Sequence, residues 1–252
     1  LEERAKLPED PRWTAHIQDT SDHDEQSLET TTASAGTKSD DFIGWLRTNV
    51  YKQRQDGYAV VTVAPPLGDL TAHQMRSLAS LAKQYVAGAV RLTVEQNVVL
   101  RWVRNEDLQP LYNALNHVGL GQGGAGTIAD ITACPGTDTC KLGIASSRGL
   151  AAELQSQLTA TANNQDPAVS ELRIKTSGCF NSCGQHHIAD LGFYGVSRNI
   201  SGYAVPHFQV VLGGQWVNNA GAYGLATGAI PSKRIPEAVK LITERFVEER
   251  LD

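Results

Sequence analysis

The sequence predicts an α+β protein with two consecutive domains, and three patterns support this prediction. Short segments of alternating apolar residues, typical of strands, are interrupted by segments with helical apolar spacing. Their order of strand, helix, strand, strand and helix fits a small layer with both helices on one face of a sheet. Glycine-rich sequence with all four cysteines follows, and an amphipathic helix ends the chain. We expect one domain at residues 42–126 and a second at residues 127–252.

The segment before these domains is polar. Residues 14–41 are acidic, rich in Thr and Ser, and poor in large apolar side chains. Such a segment cannot bury enough apolar surface to offset the entropy lost on ordering. We therefore expect residues 1–41 to form an extended or disordered arm or linker.

The first domain opens with a strand and a helix. Residues Ala59–Val63 form an apolar strand that ends at a proline pair. Thr71 and Gln74 have the spacing of a capping box, which predicts the start of a helix. The helix that follows has an apolar stripe at Met75, Leu78, Leu81, Ala82 and Tyr85.

Two strands and a second helix complete the first domain. Val90–Val94 and Val98–Val103 alternate as paired strands, and Glu95–Asn97 forms the tight turn between them. We assign this turn no role other than closing the hairpin. Asn105 is expected to cap the second helix. The apolar stripe of that helix consists of Leu108, Leu111, Tyr112, Leu115 and Val118.

The elements predicted in the second domain are fewer. Glu171–Lys175 alternates as a strand that leads to Cys179. Two further strands are predicted at Ile188–Tyr194 and His207–Leu212. The residues Pro236–Leu251 carry apolar side chains at helical spacing and predict a terminal helix.

The composition argues against several classes of function. A formal net charge of −5 provides no basic footprint for nucleic acid. No apolar stretch reaches the roughly 20 residues of a membrane span, and the first residues do not resemble a signal peptide. The glycine-rich residues 121–126 lack the strand, helix and Lys of a nucleotide-binding loop. We therefore expect no nucleic acid and no membrane partner, and a location in the cytoplasm or the plastid stroma.

The four cysteines occur as two pairs, Cys134 with Cys140 and Cys179 with Cys183. Both pairs lie among Gly, Pro, Ser and Thr, which favour loops that can wrap a metal cluster. Four thiolates are the ligands that a [4Fe–4S] cluster requires, and backbone N–H groups of such loops tune its potential. The cysteines therefore favour an iron–sulfur cluster.

The spacing leaves three other interpretations open. Structural zinc uses cysteines closer in sequence than Cys134 and Cys140, although Cys179 and Cys183 fit that spacing. Two disulfides need an oxidising compartment, for which the sequence gives no sign. Four buried thiols without any ligand are the third interpretation.

Three segments resemble the siroheme-dependent nitrite and sulfite reductases. Ser177–Phe193 is similar to the family signature, with Ser-Gly-Cys, a second Cys four residues on, and a later Asp-Leu-Gly-Phe. Thr132–Gly143 looks like the first cysteine pair of the family, and Arg91–Asn97 is similar to its hairpin motif. The resemblance extends from about Gly57 to the end of the chain.

The resemblance implies a ferredoxin-like α/β layer followed by an α+β domain that binds siroheme and a [4Fe–4S] cluster. It implies that Cys134, Cys140 and Cys179 are cluster ligands and that Cys183 is shared between the cluster and the siroheme iron. One shared sulfur couples the two centres, so electrons that arrive singly can reach the bound substrate. The implied reaction is the six-electron reduction of nitrite to ammonia or of sulfite to sulfide.

Members of this family have two pseudo-symmetric halves, and this chain resembles only the second. Because most substrate-clamping basic residues lie in the first half, we expect a missing N-terminal half, and the chain, which lacks an initiating Met, is either a fragment or works with another chain. Lys141 is our catalytic candidate beside Cys183, and Asn181 is expected to bind cofactor. His186 and His187 are expected to be structural. Candidate basic groups in this half are Arg101, Lys141, Arg148, Lys175 and His186.

The choice of substrate and partners depends on finer similarities. Asn181–Gln185 and the later Ala189-Asp190 resemble the nitrite-reducing branch more than the sulfite-reducing one, so we slightly prefer nitrite. Nothing resembles a flavin or nicotinamide site, which implies a separate electron donor such as ferredoxin or a flavoprotein. Two other functions stay open, a non-catalytic iron–sulfur electron-transfer module and a zinc-stabilised binding domain.

Overall fold

A computed structural model describes residues 39–161, 166–215 and 221–250 of the chain. The α-helices are α1 (Asp40–Asn49), α2 (Ala72–Val86), α3 (Leu108–His117), α4 (Ser147–Thr161), α5 (Pro167–Ser170) and α6 (Ile235–Glu249). The strands are β1 (Val50–Lys52), β2 (Tyr58–Val63), β3 (Val90–Leu92), β4 (Val98–Arg104), β5 (Thr132–Ala133), β6 (Ile174–Ser177), β7 (Leu191–Ile200), β8 (Tyr203–Leu212) and β9 (Leu225–Pro231). The arm expected at residues 1–41 lies outside the described residues, except for its last three, of which Asp40 and Asp41 begin α1. The domain limits stay predictions.

The first four strands form an antiparallel sheet in the order β1-β2-β4-β3. The strands predicted at 59–63, 90–94 and 98–103 are all present, and the last two pair as a hairpin as expected. Helices α1, α2 and α3 share one apolar core with this sheet. Its largest fully buried side chains are Trp45, Phe42, Leu100, Leu111, Leu115 and Leu120.

The helix signals of the first domain are only partly confirmed. Thr71 and Gln74 form the predicted capping box at the start of α2. Met75, expected in the apolar stripe, is 55 % exposed, while Val86 at the end of the helix is buried. The predicted cap of α3 is wrong: Asn105 begins a 3-10 turn and donates its backbone N–H to Gly57 O at 2.9 Å. The backbone of Asn105 thus extends the pairing of β2 with β4, and α3 begins three residues later, at Leu108.

The remaining strands form a second sheet in the order β5-β6-β7-β8-β9. The first three strands run parallel and the last two pairs are antiparallel. The strands predicted around 171–175, 188–194 and 207–212 are present with shifted ends, as is the terminal helix. Sequence reasoning missed α4, whose buried face carries small as well as large residues, and β9, which is mostly exposed. Among the described residues, no helix is both long and apolar enough to cross a membrane.

A buried asparagine fastens the segment that connects the two sheets. Asn49, at the end of α1, is 0 % exposed. Its side-chain amide nitrogen donates to Thr62 O at 2.9 Å and to Gln122 O at 3.1 Å. Its amide oxygen accepts from Ala125 N at 3.3 Å and from the Thr48 hydroxyl at 2.7 Å. All the hydrogen-bonding capacity of this amide is therefore used between α1, β2 and the connecting segment.

We expect Asn49→Ala to lower the free energy of unfolding by about 3 kcal/mol, because it leaves several buried backbone groups without partners. Urea denaturation measures this loss. Asn113→Ala is the matched control, since the Asn113 side chain lies on the exposed side of α3 and bonds to Gln109 alone among the described contacts. A loss for Asn49→Ala no larger than the control's would contradict this role.

Candidate iron–sulfur site

Two cysteine loops begin at the same edge of the second sheet. Cys134 follows the last residue of β5, and Cys179 lies two residues beyond the end of β6. The strands are parallel neighbours, with Ala133 opposite Thr176. Cys134 continues this pairing, since its N–H donates to Thr176 O at 3.2 Å. Because the carboxyl ends of parallel strands meet at one edge, the register itself brings both loops together.

The loops are also joined beyond the strands. Gly178 N–H donates to the Cys134 sulfur at 3.1 Å. Gly178 O in turn accepts from Ile144 N at 2.8 Å and from Ala145 N at 3.0 Å. These two residues follow Cys140 closely, so the backbone of one residue beside Cys179 contacts both Cys134 and the segment after Cys140.

This junction has no room for a side chain. A Cβ placed on Gly178 would lie 2.5 Å from Gly136 Cα and 3.0 Å from Ala145 O. Gly136 itself has φ +56°, and a Cβ there would lie 2.3 Å from the Ser147 hydroxyl. Backbone therefore contacts backbone where the two loops cross, which explains the glycines beside both cysteine pairs.

The four cysteines are free thiols that differ in exposure. Cys134 and Cys179 are buried, at 8 % and 6 % exposure, whereas Cys140 and Cys183 are exposed. The interpretations as two disulfides or as four buried thiols are therefore wrong for this structure. No three His, Cys, Asp or Glu side chains in the described part of the chain are gathered tightly enough for a single metal ion.

Large apolar side chains are exposed beside the exposed cysteines. Leu142 and Phe180 are each 67 % exposed, and Ile144 is 38 % exposed. Ile144 is bonded to Gly178, two residues from Phe180, so these side chains belong to one surface region. We call Leu142, Ile144 and Phe180 the apolar rim.

These features fit the two predicted cofactors. The donor set consists of four unpaired thiols on crossing loops, and one of the sulfurs already accepts an N–H. Iron–sulfur clusters are held by thiolates whose sulfurs accept such bonds. The apolar rim beside Cys183 suits a flat macrocycle placed against an exposed sulfur.

Comparison with known proteins decides the family. Residues 51–118 match the nitrite/sulfite reductase ferredoxin-like half domain. Residues 124–251, about half of the chain, match the nitrite and sulphite reductase 4Fe-4S domain. The chain belongs to the nitrite and sulfite reductase family. Its predicted α+β fold class is confirmed, and the predicted cofactors, a [4Fe–4S] cluster and siroheme, are those of this family, which argues against a zinc-stabilised domain.

Individual relatives agree with the family match. The chain is 31 % identical to the chloroplastic ferredoxin–nitrite reductase of Zea mays, over 82 % of this chain and 35 % of that protein. It is 29 % identical to sulfite reductase [ferredoxin] 1 of Mycolicibacterium paratuberculosis, over 79 % of this chain and 36 % of that protein. The structure of the Mycobacterium tuberculosis NirA protein superposes with a TM-score of 0.71 at 25 % identity, covering 81 % of this chain and 38 % of that one. The chain thus spans about a third of the length of its curated relatives.

The other predicted site residues lie in different surroundings. Lys141 and Asn181 are both exposed. Lys141 directly follows Cys140, and Asn181 lies two residues before Cys183. Arg148 binds Asp69 and lies 3.7 Å from Asp138, so it is a structural bridge between the first sheet's connections and the Cys134 loop. These contacts give no support to a role for Arg148 as a substrate clamp.

Two further basic candidates, Arg101 and Lys175, lie on strands. Arg101 is on β4, where burial and the neighbouring Arg91 lower the pKa of its guanidinium. Lys175 is 2 % exposed on β6, and its ammonium contacts the Thr132 hydroxyl at 3.3 Å and the Gln185 amide oxygen at 3.2 Å. Burial lowers the pKa of Lys175, against the opposing field of Glu95 and Asp130. These contacts make Lys175 an internal link between β5, β6 and the segment after Cys183.

His186, expected from the sequence to be structural, is fully buried. Its Nδ1 contacts the Ser177 hydroxyl at 2.8 Å, and the same hydroxyl accepts from Gly184 N at 3.1 Å. The ring packs 4.1 Å from His187 and 4.7 Å from Tyr194, measured between centroids. Burial, with a smaller contribution from His187, lowers the pKa of His186 to about 4. The neutral imidazole of His186 thus holds the turn after Cys183 in place through the Ser177 hydroxyl.

Sequence reasoning missed two residues that touch the Cys134 segment. The Ser147 hydroxyl donates to Cys134 O at 2.7 Å and lies 3.4 Å from its sulfur. The Gln96 side chain bonds to Ala133, although the hairpin turn that holds it was given no further role. Neither residue lies near a cysteine in sequence, so cysteine spacing gave no signal for them.

We expect Gly178→Ala to separate the two cysteine loops, because the added methyl group meets backbone atoms that cannot move aside. Overpacking of this kind costs about 1–3 kcal/mol. The urea midpoint and the iron and sulfide content after anaerobic reconstitution should both fall. Gly228→Ala on β9 is the matched control, since its Cβ meets nothing within 4 Å. Equal iron content in the two variants would refute the crossing-loop interpretation.

The low pKa of His186 predicts a pH-dependent stability of the cofactor-free protein. The unfolded chain takes up a proton near the ordinary histidine pKa of about 6.5, whereas the folded chain does so only near 4. Stability is therefore fully present above about pH 6.5 and is lost as the pH falls towards 4. Urea midpoints measured across this range should fall less steeply for His186→Phe, which does not titrate. Parallel curves for the two proteins would show that another group is responsible.

Proposed function

We propose that this chain is the cluster-binding half of a siroheme-dependent reductase that reduces nitrite to ammonia, or sulfite to sulfide, with six electrons. The observation that carries the proposal is the crossing of the two cysteine loops at Gly178. At that crossing the backbone of Gly178, next to Cys179, bonds to the Cys134 sulfur and to the segment that follows Cys140. Membership of the nitrite and sulfite reductase family gives this arrangement its chemistry.

In this proposal Cys134, Cys140, Cys179 and Cys183 hold the [4Fe–4S] cluster, and Cys183 also ligates the siroheme iron. When bound, the two cofactors supply electron storage and an open iron position for the oxyanion. The chain contributes two buried anchors, Cys134 and Cys179, and two ligands at the surface. The exposed Cys183 sulfur leaves room for the second iron that the proposal assigns to it.

The surroundings of the buried Cys134 affect its sulfur in two ways. The Gly178 N–H donates to the Cys134 sulfur and stabilises its negative charge. Cys134 is 8 % exposed, which limits the access of water to the same sulfur. Lys141, exposed and next to Cys140 in the sequence, is the proposed basic group of this half, and it would offer a positive charge to an anionic substrate.

A complementary N-terminal half is part of the proposal. The chain spans about a third of the length of its relatives, and the apolar rim leaves large side chains in water. A macrocycle and a second half would cover this rim and supply the basic residues that clamp the substrate. Several relatives are named ferredoxin–nitrite reductase, which supports ferredoxin as the donor and nitrite as the preferred substrate. Relatives named sulfite reductase keep sulfite as the alternative.

The first test is an absorption spectrum of the anaerobically purified protein, with iron and sulfide analysis. We expect broad cluster absorption and about four irons per chain, as the 4Fe-4S domain implies. Siroheme bands should appear when the complementary half is present, and reduced viologen should then support nitrite reduction faster than sulfite reduction. A cluster without siroheme in that complete protein would instead favour a non-catalytic electron-transfer module.

Substitution of the cysteines tests their individual roles. Cys134→Ser and Cys179→Ser should abolish cluster binding, since each removes a buried anchor. Cys183→Ser should remove the siroheme bands of the complete protein as well as weaken the cluster. Thr139→Ala, beside Cys140 and exposed, is the matched control and should keep full iron content. Full iron content in Cys134→Ser or Cys179→Ser would rule out the proposed ligand set.

A further inference from the structure

Gln96, at the tip of the hairpin between β3 and β4, contacts the other sheet. Its backbone is left-handed, with φ 68°. Its side-chain nitrogen donates to Ala133 O at 3.0 Å, and its side-chain oxygen accepts from Ala133 N at 3.2 Å. The two bonds reproduce the pairing that a neighbouring strand offers to one residue. The Gln96 amide therefore acts as an additional strand edge beside β5.

The hairpin tip is fastened at a second point. The Asn97 amide nitrogen donates to the Asp130 carboxylate at 2.7 Å, and that carboxylate also accepts from Gly126 N at 2.8 Å. Asp130 lies three residues before Ala133, on the segment that leads into β5. Gln96 and Asn97 thus both bond to the segment that leads into β5. The Asn97 bond holds the hairpin tip against this segment and so keeps the Gln96 amide beside Ala133.

β5 has need of such support. It comprises two residues, and its one strand neighbour is β6. The register of β5 places Cys134, whose N–H pairs with Thr176 O and whose sulfur accepts the Gly178 N–H. A strand this short has little pairing of its own to hold that register. Any slippage of Ala133 moves the Cys134 sulfur away from its donor.

We propose that Gln96 is a positioning residue for the cluster, because its amide holds β5 in the register that aims the Gly178 N–H at the Cys134 sulfur. This inference rests on the proposed function, since it takes Cys134 as a cluster ligand. N–H···S bonds favour the more negative, reduced cluster and so raise its reduction potential. Loss of the Gln96 contact therefore lowers the potential and lets the cluster dissociate faster.

Gln96→Asn separates this role from that of the hairpin turn. Asn adopts left-handed backbone more readily than Gln, so a residue needed only for the turn tolerates the change. The Asn amide is one methylene shorter and cannot keep both bonds to Ala133. At equal cluster occupancy, we expect the cluster of Gln96→Asn to have a more negative reduction potential than that of the wild type. Redox titration with electron paramagnetic resonance detection measures this potential. Cluster loss in air, followed by absorbance, should become several-fold faster.

Gln96→Met and Gln109→Asn complete the experiment. Gln96→Met keeps the side-chain length without the amide and should lower the potential as Gln96→Asn does. Gln109 lies on the exposed side of α3, bonded to Asn113, and Gln109→Asn should leave potential and cluster lifetime unchanged. Wild-type values for both Gln96 variants, in a protein that holds its cluster, would overturn the inference and leave the proposed function standing. A wild-type protein unable to bind a cluster would overturn both.

Discussion

Two parallel strands, β5 and β6, bring two cysteine loops to one sheet edge, and their register determines where the buried Cys134 and Cys179 lie. Cys134 continues the pairing of β5, and Gly178 bonds back to its sulfur within the same edge. The crossing depends on backbone atoms meeting at Gly136 and Gly178 without a side chain between them. The remaining features of the site either protect this register or use the surface that it creates.

Side chains from a helix and from a hairpin turn hold β5 in this register. Ser147, at the start of α4, donates to Cys134 O from one side, and Gln96 bonds to Ala133 from the other. Arg148 adds a link between Asp69 and Asp138. These contacts join the ferredoxin-like layer to the cluster loops although the two are distant in sequence. The layer thus does more than complete the fold, because it positions residues that adjoin a cysteine.

The sequence signals that worked were local ones. The capping box of Thr71 and Gln74 and the hairpin strands each involve residues within a few positions, so the local sequence pattern predicted them. The signals that failed were non-local. β5 is too short for any alternating pattern, and Gln96 contacts a residue 37 positions away. Fold class and family were therefore accessible from sequence, whereas the supports of the candidate ligands required the tertiary structure.

The asymmetry of the cysteines has a physical reason. A ligand that serves only the cluster is best buried, because exclusion of water protects the sulfur and strengthens its hydrogen bond. A ligand shared with a second cofactor must keep one side of its sulfur accessible. Under the proposed ligand set, the buried Cys134 and Cys179 meet the first requirement and the exposed Cys183 meets the second, while Cys140 is exposed although it would serve the cluster alone. The apolar rim is consistent with the proposed function: Leu142 and Phe180 are exposed in this chain, and exposed apolar patches of this kind mark surfaces that bind a ligand or a partner.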